Sequence, residues 1–176
     1  MDTGRDFLQS QLNNAVAQHK NLVESLRDHA EQADDPRYRQ LCQQYLAHTE
    51  RHQGMLEQYG KTLHADGGSG LKNAIGGILG KARDAVDAMR ETDWLRVVGD
   101  IVMIRQAQDT FATFARAGER LGETRLAELG RMGEQEHDEM QRVFNQYAAE
   151  VFVDHVQGTV ATSDRSARTN TAGSTY

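Results

Sequence analysis

One proline (Pro36) and one cysteine (Cys42) occur in a chain of 176 residues. So little proline removes the commonest helix breaker and allows long uninterrupted helices. A lone cysteine excludes an intramolecular disulfide and a cysteine-cluster metal site. Extended Val/Ile/Thr alternation and Asn-Gly hairpin turns are missing, so the chain reads as all-α. No stretch approaches the roughly 18 unbroken apolar residues of a membrane span, and Met1 to Asp6 carry no apolar leader. Both observations lead us to expect a cytoplasmic protein. A net charge of −6 leaves no basic excess to displace counterions from phosphates, which argues against nucleic acid as a partner. Gly-x-Ser-x-Gly and phosphate-loop motifs are absent too, and no catalytic residue is assigned.

What is present is helical periodicity. The length suits one domain with a real core. A first helix is expected from about Arg5 to Ala33, with Leu8, Leu12, Ala15, His19, Leu22 and Leu26 on one face. Asp35 can cap the second helix with Pro36 in its first turn, and Gly60 marks a stop after Tyr59. A glycine-rich link from Asp66 to Gly70 leads to a shorter amphipathic stretch, Leu71 to Arg90. A third long helix, capped at Thr92 or Asp93, should end at Leu121-Gly122, and a fourth begins near Thr124 and carries Leu126 to Val151. From Gly158 the Thr, Ser, Ala and Gly content rises and periodicity stops. These features predict an up-down four-helix bundle over residues 1–157, a crossover helix between its second and third long helices, and a disordered tail over 158–176.

Each long helix carries a polar residue in its apolar stripe: His19, then His48 with His52, then Gln108, then His137. Counted from the turns at about 1.5 Å per residue, they reach similar heights near mid-bundle. A buried polar group without a partner costs on the order of 1–3 kcal/mol, so gathering such groups implies mutual bonding, water or metal. His48 and His52 share a face at i, i+4, and Glu134 with His137 makes a Glu-x-x-His pair. The expected metal ligands are therefore His19, His48, His52, Glu134 and His137. His29, His64 and His155 fall off this layer and read as background.

The Asp35-Pro36 turn, the run from His48 to His52 followed by Leu56-Glu57, the glycine-rich link, Leu121-Gly122 and Glu134-Gln135-Glu136-His137 together resemble bacterial ferritin-like stress proteins of the YciF type. The resemblance covers most of residues 7–155 and implies a ferritin-like bundle, a role in stress responses and a metal site of carboxylates and imidazoles. Here the second helix has Thr49-x-x-His52, and the third has Arg105 to Gln108 where an acid belongs. Two irons need several anionic oxygens, so a ferroxidase or di-iron oxidase ranks last. A histidine-rich layer suits one zinc or iron ion, or none. The expected function is a stress-associated bundle, non-catalytic or weakly metal-binding through the histidine-rich layer, with a structural or protein-interaction module that holds no functional metal as the alternative. A homodimer is the default assembly. Gly70 to Lys81 looks like a slight cationic amphipath, but Asp84, Asp87 and Glu91 follow it, so packing on the bundle is favoured over membrane binding.

Overall fold

The computed structural model describes residues 3–65 and 93–171, with side chains over 4–63 and 93–158. Helix α1 spans Thr3–Gln32, α2 Pro36–Ala65, α3 Asp93–Leu121 and α4 Thr124–Thr171. The chain is an all-α four-helix bundle. The crossover helix expected over 71–90 lies outside the described residues. The backbone of α4 continues as helix beyond Gly158, where the apolar periodicity stops, as far as Thr171.

The turns form as their residues dictate. Asp35 Oδ1 accepts the Arg37 backbone N–H at 2.8 Å, an N-cap ahead of Pro36. Gly122 adopts φ 71°, a left-handed conformation that is cheap only for glycine. Glu123 N then donates to Gly118 O at 2.9 Å and Gly122 N to Glu119 O at 3.4 Å, closing α3 in a Schellman motif. Gly60 does not stop α2, which continues to Ala65. An isolated helical glycine costs only about 1 kcal/mol, and here the added turn is tied to α1, with Arg5 Nη2 donating to Leu63 O at 3.0 Å.

Cross-links fix the topology. Asp93 Oδ2 accepts Asp35 N at 2.6 Å, so α3 starts beside the α1–α2 turn. Tyr147 donates to Asp35 Oδ2 at 3.1 Å, bringing the later part of α4 to the same end. Helices α1 and α4 therefore run one way, with α2 and α3 running the other. Contacts within each hairpin, α1 with α2 and α3 with α4, are denser than those between hairpins. The α3–α4 seam is the tightest: a Cβ on Gly118 or Gly130 would overlap the backbone of Ala127 or Ala115.

Two apolar clusters fill the interior. One, toward the α1–α2 turn, includes Leu22, Leu26, Tyr38, Ile104, Met140 and Phe144. The other, toward the α3–α4 turn, includes Leu12, Leu56, Phe111, Leu126 and Leu129. Between them in each stripe stand His19, His52 and His137, all buried.

Candidate metal centre

Three helices deliver the histidines: α1 gives His19, α2 His52 and α4 His137. Each ring replaces one apolar residue in a core stripe, so packing holds it inward, and none is more than 3% exposed. Helix α3 supplies the fourth wall. The Phe111 ring centroid lies 5.7 Å from that of His19, 5.6 Å from His52 and 5.1 Å from His137. Gly133 makes room for it, because a Cβ there would overlap the Phe111 ring.

Hydrogen bonding fixes one tautomer. His137 Nδ1 lies 2.8 Å from Gly133 O, and only a protonated nitrogen bonds a carbonyl, so neutral His137 presents a bare Nε2 to the interior. His19 Nε2 sits 3.2 Å from that Nε2 and must donate to it. This leaves His19 Nδ1 and both His52 nitrogens buried without a hydrogen-bond partner. Gln53, beside His19, has an unpartnered buried Oε1 as well.

Burial holds these rings neutral. It lowers His19 to about 3, helped by His137 and His52 and opposed by Gln53. His52 falls to about 4 through burial first, then Arg51 and His48. His137 also falls to about 4, from burial and then His52, against the Gly133 hydrogen bond and Glu136. Neutral imidazole is the form that ligates metals.

One ligand nitrogen from each ring can be chosen so that all three lie within 4.8 Å of one another. Two nitrogens 3.2 Å apart, each about 2.0–2.1 Å from a zinc-like ion, subtend an angle of about 100°, close to tetrahedral. On such an ion His19 would ligate through Nε2 and turn a protonated Nδ1 toward Gln53 Oε1, giving both orphan atoms a partner. The carboxylate at hand is Glu136, whose Oε2 lies 3.2 Å from His52 Nε2 without hydrogen-bond geometry. Arg51 and His48 Nδ1 hold the same oxygen from the surface side.

Of the five expected ligands, His19, His52 and His137 meet. His48 is half-exposed at the rim, bound to Glu136 rather than to the cluster. Glu134 is part-buried and does not join the group. Gln108 donates through Nε2 to Asp138 at 3.1 Å, while its Oε1 is buried without a hydrogen-bond partner. Two surface grooves lie elsewhere, one lined by Met55, Tyr59 and Met132 and the other by Gln18, Arg105 and Thr113.

A second buried polar group was not foreseen from the sequence. The Asp100 carboxylate on α3 accepts from Ser25 Oγ at 2.8 Å, Tyr38 OH at 2.6 Å and His29 Nδ1 at 2.9 Å. Asp100 occupies a core position between Val97 and Ile104 at helical spacing, and that placement was its signal.

Comparison with known proteins gives one family. A model described as Domain of unknown function (DUF892) matches residues 3–157. No curated protein matches the chain.

Proposed function

The chain belongs to that family of unknown function, DUF892, and on this premise we propose that it is a metal-binding bundle that holds one zinc-class divalent ion through His19, His52 and His137. One observation carries the reading: three neutral imidazoles converge in the buried interior, and three of their six ring nitrogens have no hydrogen-bond partner among the described residues. A purely structural polar layer should satisfy itself, since each orphan costs on the order of 1–3 kcal/mol. Glu136 would serve as the fourth ligand, exchanging Arg51 and His48 at the rim for the ion. The donor set suits a borderline ion with nitrogen ligands. It suits a carboxylate-rich dinuclear iron centre poorly, because among the described residues Glu136 is the one acid in contact with the three histidines. The bound ion would supply charge and cross-linking inside the bundle, while the chain's own residues orient the imidazoles and keep water out.

The stress association and ferritin-like ancestry implied by the resemblance belong to the same proposal. So do a cytoplasmic site of action and a homodimer. A bundle that sequesters a divalent ion fits such a role without catalysis. The rival reading, a scaffold without an ion, is supported by the His19–His137 and His137–Gly133 hydrogen bonds and the His52–Glu136 contact.

Protein purified without an affinity tag, loaded with zinc and desalted, decides between them. The His52→Ala/His137→Ala double variant should retain one ion fewer than wild type and show a smaller zinc-dependent rise in melting temperature. Equal zinc content and equal melting shifts in the two proteins would sink the assignment.

A further inference from the structure

The Asp100 group contains more than a hydrogen-bond network requires. Ser25 and His29, one turn apart on α1, and Tyr38 on α2 already satisfy the Asp100 carboxylate on α3. One turn beyond Tyr38, α2 also places Cys42 against the group, fully buried. Donor atoms of His29, Cys42 and Asp100 all lie within 4.8 Å of one another, and each comes from a different helix. Nitrogen, sulfur and oxygen donors thus converge in a volume closed to solvent.

The local field favours a cation. Asp100 is fully buried, and among the described residues no lysine or arginine is bonded to it. The His29 Nδ1–Asp100 Oδ2 separation of 2.9 Å is occupied by a proton in the hydrogen-bonded form. A metal ion would take that place once both atoms became ligands, the neutral His29 ring then carrying its proton on Nε2 instead of Nδ1. The Cys42 proton then leaves to solvent, because the thiolate is the ligating form. Tyr38 and Ser25 keep their hydrogen bonds to Asp100 and hold it in place, as outer-shell partners do.

We propose that His29, Cys42 and Asp100 form a second, independent binding site for a thiophilic divalent ion of the zinc class. It shares no residue with the histidine layer and does not depend on that layer binding anything.

Cobalt(II) separates the two sites, because a thiolate ligand gives an intense near-ultraviolet charge-transfer band that imidazole and carboxylate do not. Cys42 is the sole cysteine, so the band can report only this site. The full chain, reduced and refolded from urea with excess cobalt(II), should show the band, and zinc should bleach it. Cys42→Ser should abolish it. His29→Gln and Asp100→Asn should each weaken cobalt binding at least tenfold, read from the same band, with circular dichroism confirming the fold. The His52→Ala/His137→Ala variant should keep the band at full intensity. No band in folded wild type at saturating cobalt overturns the proposal. So does a band indifferent to both His29→Gln and Asp100→Asn, which would mark adventitious thiolate binding. Loss of the band in His52→Ala/His137→Ala, with the fold intact, would also refute the independence claimed here.

Discussion

At the residue scale, the two carboxylates of the fourth helix's motif part company. Glu136 reaches the rim of the histidine layer and Glu134 does not. Glu136→Gln should therefore weaken zinc binding by at least about tenfold, since even an outer-shell partner is worth about 10–100-fold, whereas Glu134→Gln should leave it unchanged. Titration calorimetry on the two variants checks this, and equal effects would contradict the ligand assignment. Asp100→Asn replaces one acceptor oxygen by an amide N–H₂ that faces either Ser25 Oγ or the Tyr38 and His29 donors, setting donor against donor. It should destabilise the metal-free fold by about 1–3 kcal/mol, seen as a lower urea midpoint with unchanged slope. The sequence showed His19, His52 and His137 because each interrupts an apolar stripe at matching height. It could not show that Glu136 rather than Glu134 turns toward α2. That choice rests on Arg51 and His48, which sit on another helix. His29 lies off mid-height, and its partner Asp100 is 71 residues away on another helix, a pairing that no local pattern signals.

At the scale of elements, the α3–α4 seam sets how close the helices come. Gly130→Ala forces a Cβ into the Ala115 backbone, which cannot yield as a flexible side chain would. A loss of at least about 1–3 kcal/mol is expected. At Gly54, which is exposed and helical with open space around it, the same change should stabilise by about 0.5–1 kcal/mol. Thermal melts of the two variants should move in opposite directions. Most of the bundle was legible in the sequence, since the Asp35-Pro36 cap, Gly122 and the stripes are local signals. The end of α2 was misread because Gly60 is a weak stop, outweighed by packing and by the Arg5–Leu63 bond.

For the whole molecule, the buried neutral histidines make the metal-free fold sensitive to acid. Their folded-state values lie near 3 to 4 against an ordinary 6.5, so the unfolded chain binds more protons in between. The stability they leave intact is fully present above pH 6.5 and drains as the pH falls toward those folded values. Melting temperature of the ion-free protein should fall between pH 7 and pH 5, and the His52→Ala/His137→Ala variant should fall less. Parallel profiles would count against neutral burial of these rings.

The histidine layer also has a kinetic meaning. His19 and His52 belong to one hairpin and His137 to the other, so the complete trio exists only once the hairpins have docked. Each hairpin is built from contacts near in sequence and can form by itself early, while docking waits on the chain between them. Groups brought together last contribute little to the folding transition state and act chiefly on the rate of unfolding. An ion held by His19, His52 and His137 would then be a latch, leaving the refolding rate unchanged and lengthening the lifetime of the closed bundle.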